Sequence, residues 1–250
     1  MLTNMPDFDS KKFDGRKKSQ LILGYFDSVA QKYDMMNTLL SFGIHHNWKR
    51  KAVRIMGLNS GDKILDVCGG TGDLSILAAG AVSPKGQVVL YDFSRAMINA
   101  GRKKKNNSFV RKRIQYIQGD AQKISFQDES FNAAMVGFGI RNVIHMKKAF
   151  KEMHRVLKPG GKIMCLEFSQ PTSSLFRLVY DYYSFHIIPF LGKVITGSAQ
   201  AYTHLPESIR KFPSPDKLSD ILKNIGFLHI THQKLTNGIA VIHSARKQPI

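Results

Sequence analysis

The chain has 250 residues and a mass of 28.2 kDa, enough to bury roughly three quarters of its extended-chain surface around one core. Its composition, 43% hydrophobic and 22% charged, excludes collagen-like, mucin-like and wholly disordered classes, and its two cysteines, Cys68 and Cys165, exclude a disulfide-framed secreted domain and fit a reducing cytosol. The 37 basic residues against 18 acidic ones leave a net charge of +19, which draws anions without choosing among nucleic acid, acidic small molecules and anionic membrane surfaces.

No window approaches the ~20 apolar residues of a membrane span, and the N-terminus has no apolar stretch of a secretory signal. A cytoplasmic protein is expected. Residues 1–17 are polar, charged and without period, which predicts a flexible basic tail ahead of one domain over 18–250. From Gln20 to Met56 apolar residues recur at helical spacing, predicting N-terminal helices over 18–58. KILDVCGG is an apolar run into glycine, TGDLSILAAGAV fits a helix, and GQVVLYDFS is a second apolar run ending at Asp92: strand, helix, strand.

The alternation continues with a helix from Arg95 to about Lys105, strands at Ile114–Ile117 and Phe131–Val136, and a helix from His145 to Leu157. Lys158-Pro159-Gly160-Gly161 should stop that helix with a left-handed glycine cap. KIMCLEFS predicts a fifth strand. The stretch 175–210 is rich in aromatics, poor in charge, and broken by Pro189, Gly192 and Gly197, which predicts a helical lid inserted over the sheet edge. A helix over Pro215–Ile225 and two runs, FLHITHQKL and GIAVIHSARK, joined by an Asn237-Gly238 hairpin, close the chain. The fold class is α/β: a Rossmann-like mixed seven-stranded sheet with helices on both faces and an antiparallel C-terminal hairpin.

Gly69, Gly70, Thr71 and Gly72 lie where the first strand meets the first helix of the sheet, the edge at which doubly wound folds bind ligands. Ser75 stands where the dinucleotide pattern needs glycine, and the P-loop lysine is absent. Asp73 beside the helix N-terminus argues against a phosphate. Asp92 suits a ribose and Asp120-Ala121 an adenine edge, so the three spots together describe a phosphate-free nucleoside, S-adenosylmethionine. The alternatives are a tight strand-to-helix turn for the glycines and a helix N-cap for Asp92.

The stretches FDSVAQKYDMMNTLLSFGIHHNWKR, ILDVCGGTGDLS, FGIRNV at 138–143, RVLKPGGKIMCLEFSQP, VYDYYSFHIIPFLG and LPESIRKFP resemble the ubiquinone/menaquinone biosynthesis C-methyltransferases. The resemblance runs from about Phe26 to about His243 and implies the class I methyltransferase fold. It also implies methyl transfer from S-adenosylmethionine to a ring carbon of a polyprenylated quinol: demethylmenaquinol, a 2-polyprenyl-6-methoxy-1,4-benzoquinol, or both. Carried over by motif, Thr71, Asp92, Asp120 and Ala121 become cofactor contacts. Gly137 occupies a position where relatives often have Ser; it keeps the N–H and lacks the hydroxyl. The segment before Tyr202 lacks an acidic residue that relatives tend to carry.

A ring carbon attacks a sulfonium only after a neighbouring hydroxyl loses its proton, and a phenol titrates near ~10, so the site needs a cation or a base. The resemblance implies Arg141 and Asn142 at the quinol oxygen with Tyr33 beside them. An arginine cannot act as a base at neutral pH, so stabilising a phenolate is the role expected of Arg141; a salt bridge under the loop is its structural alternative, and a core position that of Tyr33. His186, in the lid, is weighed as a titrating group against a packing residue. His45, His46, His145 and His154 have no carboxylate or cysteine at ligand spacing, so no metal is expected.

The aromatic lid can accept an isoprenoid tail or form an extra core layer. Arg102–Lys105 and Arg111–Arg113 offer clusters for anionic lipid, on the inner face of a membrane, or are solvated helix ends. A homodimer is left open. An RNA methyltransferase and a nicotinamide oxidoreductase are the rival readings. FGIRN stands where amino-group methyltransferases carry an Asn/Asp-Pro-Pro-aromatic turn, so nucleic acid is disfavoured.

Overall fold

The computed structural model describes residues 15–104 and 108–249. In chain order the elements are α1 (Gly15–Val29), α2 (Tyr33–Leu40), α3 (Ile44–Met56), β1 (Lys63–Val67), α4 (Asp73–Ala81), β2 (Gln87–Asp92), α5 (Arg95–Arg102), α6 (Ser108–Arg111), β3 (Ile114–Gln118) and β4 (Phe131–Gly137). There follow α7 (Met146–Val156), β5 (Leu157–Phe168), α8 (Ser174–Tyr182), a π turn (Tyr183–Ile187), α9 (Ile188–Thr196), α10 (Ala199–Lys211), α11 (Pro215–Ile225), β6 (Phe227–Leu235) and β7 (Ala240–Lys247).

The strands form a seven-stranded sheet in the order β3-β2-β1-β4-β5-β7-β6, with β7 antiparallel to β5 and to β6. This is the mixed sheet and terminal hairpin that the sequence predicts. From Ile64 to Val67 the side chains of β1 are buried on both faces, as a central parallel strand under two helical layers requires, so its sequence is an unbroken apolar run save Asp66. From β1 the chain passes to β2 on one side and β4 lies on the other. The crevice at the carboxyl ends of β1 and β4 is therefore the topological switch point.

Trp48, Ala52, Leu74 and Ala78 from α3 and α4 fill one face of the sheet, and Phe150, Met153, Leu218 and Leu222 from α7 and α11 fill the other. A third cluster, Val29, Met36, Ile188 and Tyr202, ties the N-terminal helices to the α8–α10 segment. Pro189 begins α9 and Gly197 caps it at φ 77°, while Gly192 lies so close to the Tyr202 ring that any side chain there would overlap it.

Several boundaries differ from the sequence expectation. Gly15 to Lys17 belong to α1, and the remaining tail residues, 1–14, lie outside the described residues. The helix begun at Arg95 ends at Arg102. Leu157 already pairs with Phe131 in the sheet, so α7 stops by turning directly into β5. Gly160, at φ 71°, serves an irregularity within that strand rather than a helix cap. At the hairpin, Leu235 pairs with Ala240, which leaves the longer turn Thr236 to Ile239 in place of a two-residue one. Thr236, Asn237 and Gly238 all take positive φ there. The turn is held outward by Trp48 Nε1 donating to the Thr236 hydroxyl at 3.0 Å and by the Thr172 amide donating to the Asn237 carbonyl at 2.9 Å.

Candidate active site

The switch-point crevice opens into a cavity of about 1120 Å³ including its mouth, walled by the glycine loop, the ends of β2 and β4, and α1. Cys68 at φ 53°, Gly70 at φ 55° and Gly72 at φ 84° fold the loop so that α4 starts directly beneath it. Asp92, at the end of β2, accepts from the Gly70 amide at 2.7 Å and from the Ser94 amide at 2.8 Å. The N-cap of α5 is Ser94, whose hydroxyl accepts from the Met97 amide, so Asp92 is not a helix cap. Each Asp92 oxygen keeps acceptor capacity toward the cavity.

Asp66 lies wholly buried in the cavity wall; its Oδ2 accepts from Ser75 at 2.6 Å and its Oδ1 has no partner among the described residues. Burial pushes Asp66 up to about 7 and Asp92 up to about 6. Asp120 holds the Gln122 amide at 2.8 Å, and Ala121 is buried beside it. Gly137 ends β4 against Leu74, and a Cβ built there would overlap Leu74 Cδ1.

A polar cluster closes one end of the cavity. Lys49 reaches Asp73 at 2.7 Å, and Lys104 reaches Asp73, Asp34 at 2.8 Å and the Thr71 hydroxyl at 2.9 Å; that hydroxyl donates to Asp34 at 2.6 Å. Two findings depart from the sequence reading. Asp73 is compensated by two ammonium groups, which hold its carboxyl well below the usual range, so it does not by itself repel a phosphate. Lys104 turns inward instead of joining an outward basic patch. Lys105 lies outside the described residues, and Arg113 lies over the Phe109 ring.

Beyond Phe26, Tyr33, Lys49, Phe138 and Asn142, which face both spaces, lies a second cavity of about 1750 Å³ including its mouth, between the N-terminal helices and α8–α10. Arg141 lines it. One guanidinium nitrogen, Nη1, donates to Glu167 at 2.6 Å and to the Phe138 carbonyl at 2.5 Å, and the group lies over the Phe168 ring at 5.2 Å. The pair is buried, 6% and 2% exposed, so the salt bridge weighed as the alternative role is present together with the cavity position. Asn142 Oδ1 meets His204 Nε2 at 3.2 Å, while its Nδ2 is buried without a partner among the described residues. Tyr33, packed on Phe26, has its phenol pushed up by burial.

Two residues here were not picked out from sequence, and a third was picked out for another reason. Glu167 is an acid inside the apolar run KIMCLEF, a signal that a buried cation waits nearby; the cation is Arg141 in the turn after β4. His204 shares a helical face with Ala201, Leu205 and Ser208, the spacing of an inward stripe. His186, weighed instead, is exposed, lies against Tyr182 and borders neither cavity. The third is Asp73 as a neighbour of histidines: the fold brings it to His45 and His46, with ligand atoms within 4.8 Å of one another, which linear spacing could not show. Its carboxylate is already taken by two lysines, and His45 and His46 are bonded to Ser41 and Thr38.

The crevice fits a cationic nucleoside: Asp66, Asp92 and Asp120 line it, and an orphaned buried carboxylate oxygen awaits a donor. A seven-stranded sheet of this order with such a crevice is the class I methyltransferase fold. The fold is shared by the [4+2]-cyclase SpnF, with a TM-score of 0.68 at 16% identity over 93% of this chain and 97% of that one. It is also shared by the Haemonchus contortus phosphoethanolamine N-methyltransferase 2, solved with S-adenosyl-L-methionine, with a TM-score of 0.57 at 18% identity over 81% of this chain and 52% of that one.

Residues 15–247 match the ubiE/COQ5 methyltransferase family, and the chain belongs to it. It is similar to the ubiquinone/menaquinone biosynthesis C-methyltransferase UbiE of Shewanella sp. (strain W3-18-1), 41% identical over 96% of both chains. It is likewise similar to UbiE of Francisella philomiragia, 42% identical over 96% of both. The protein is an S-adenosylmethionine-dependent C-methyltransferase.

Proposed function

We propose that the protein methylates a ring carbon of a polyprenylated quinol in ubiquinone/menaquinone biosynthesis, with the ring held in the second cavity. The observation that carries this is the pair of cavities that share Phe26, Tyr33, Lys49, Phe138 and Asn142: one is carboxylate-lined and suits a cationic nucleoside, and the other is aromatic and suits a ring with an apolar tail. When bound, S-adenosylmethionine supplies an electrophilic methyl group.

Gly69, Gly70 and Gly72 let the backbone close around the cofactor, Thr71 borders it, and Asp92 accepts from its ribose. Asp120 and Ala121 face its base, the Gly137 amide lies at its edge, and the free Asp66 oxygen suits its ammonium. Arg141, fixed by Glu167, opposes the quinol oxygen and favours the phenolate; Asn142 offers its unpartnered amide and Tyr33 its phenol to the same group. The α8–α10 segment acts as the substrate lid. Its outer side exposes Leu175, Leu178, Val179, Tyr182, Phe190 and Val194, near exposed Phe42, and meets the lipid in which the substrate dissolves. Among the described residues no helix is long and apolar enough to cross a membrane.

The test is incubation of the purified protein with methyl-labelled cofactor and reduced demethylnaphthoquinol or benzoquinol. Label on a ring carbon of either quinol is expected. Label on oxygen or on added RNA, or none at all, overturns the reading.

A further inference from the structure

The quinol hydroxyl must surrender a proton, and few groups lining the second cavity can take it. Arg141 is a cation bound to Glu167. The phenols of Tyr33, Tyr180, Tyr183 and Tyr202 are held protonated by burial. Two imidazoles remain, His45 and His204. His45 lies against His46, with ring centroids 3.9 Å apart; Ser41, whose hydroxyl donates to the Asn37 carbonyl, accepts from its Nδ1 at 2.6 Å, so its acceptor is Nε2, and Lys49 stands one turn along the same helix, which sets it against taking a further charge. His204 Nε2 meets Asn142 Oδ1, which only accepts, so Nε2 carries the ring's proton and Nδ1 keeps a lone pair with no partner among the described residues.

Tyr33, Arg141 and His204 all line the second cavity, and a phenolate formed against Arg141 releases its proton within that space. We propose that His204 Nδ1 accepts the quinol proton, an inference that rests on the quinol reading above. The O–H bond breaks with its electron pair left on oxygen, an N–H bond forms, and the imidazole becomes imidazolium beside the phenolate. After the ring carbon has gained its methyl group and lost its hydrogen as a proton, the oxygen is reprotonated. One proton in all passes to water.

The surroundings keep His204 neutral at neutral pH and also oppose its charging, so the step depends on the phenolate formed beside Arg141 to offset the imidazolium. Burial, then Arg141 from the turn after β4, Lys18 from α1 and Lys211 from α10 hold His204 down at about 4. Tyr25 of α1 lies with its ring centroid 5.8 Å from that of His204, and Glu207 of α10 acts on Tyr25. From the lid elements packed on α10, Lys193 of α9 and Tyr183 and His186 of the π turn complete the ionisable set.

The experiment measures kcat, KM and S-adenosylhomocysteine affinity against pH for the wild type, His204→Gln, His204→Asn and His45→Gln, with reduced quinol. The expected result for His204→Gln is a loss of about 10²-fold in kcat at pH 7 that shrinks as the pH approaches the quinol's own ionisation near ~10, with nucleoside affinity retained. His204→Asn reads the same property where the glutamine variant misfolds, folding being judged by nucleoside binding. Wild-type kcat in the His204 variants, a loss equal at pH 7 and pH 9.5, or the same pH signature in His45→Gln overturns the assignment. A wild type that methylates no quinol brings down the substrate reading itself, and this proposal with it.

Discussion

Asp92 shows what a single carboxylate does before any ligand arrives. Its two oxygens staple the glycine loop to α5 through the Gly70 and Ser94 amides, and burial raises it to about 6. Between about pH 4 and 6 the folded protein holds a proton that the unfolded chain has released, so this group's contribution to stability falls as pH rises through that window. Ligand affinity runs the other way, because a ribose donor needs the ionised acid. S-adenosylhomocysteine affinity measured by calorimetry is expected to weaken below about pH 6, toward tenfold per unit, and Asp92→Asn to flatten that limb; an unchanged slope in the variant would remove Asp92 from the ribose. Asp92 was legible in the sequence because strand and loop lie close along the chain. Glu167 was not, because its pairing with Arg141 depends on the register of β4 against β5. The pairing also means that Arg141 cannot be deleted alone without leaving a buried acid, at a cost of about 3–5 kcal/mol in stability.

Among the elements, strands and helices with a clear period were readable, and their ends were not. KILDV and QVVLYD declare themselves as buried strands, and the terminal hairpin turns at the Asn-Gly step as read; the LKPGG stop and the length of that turn were misjudged because sheet pairing at Leu157 and the Trp48–Thr236 hydrogen bond override local turn preference. The junction of β4 and α4 gives a test at this scale. Gly137 and Leu74 share a space too small for another atom, so Gly137→Ser alone is expected to lower stability by about 1–3 kcal/mol, and Leu74→Val added to it to restore most of the loss. Thermal unfolding reads both. A serine tolerated without loss would mean that α4 shifts freely under β4.

For the molecule as a whole, the sheet order and the crevice follow from the alternation of the sequence, whereas the second cavity does not. It exists because α1 and α2 pack across to α9 and α10 through Val29, Met36, Ile188 and Tyr202, residues far apart in the chain. The charge of +19 pointed to a membrane through basic clusters, yet Lys104 is spent inside the site, and the broad exposed surface of the lid is apolar. Sedimentation with anionic vesicles is expected to carry down the wild type and about tenfold less of a Leu178→Glu, Phe190→Glu variant, while turnover of a short-chain quinol in detergent stays near wild type. Equal sedimentation of the two would move lipid contact elsewhere.

Exposed Phe93 lines the first cavity and not the second, and exposed Phe42 the second and not the first. With the α8–α10 segment against lipid, as proposed above, one doorway faces water and the other oil, the arrangement of a phase-transfer catalyst. On that proposal the spent nucleoside drains to the aqueous side while the greasy partner stays threaded in the bilayer, so neither reagent crosses the other's solvent.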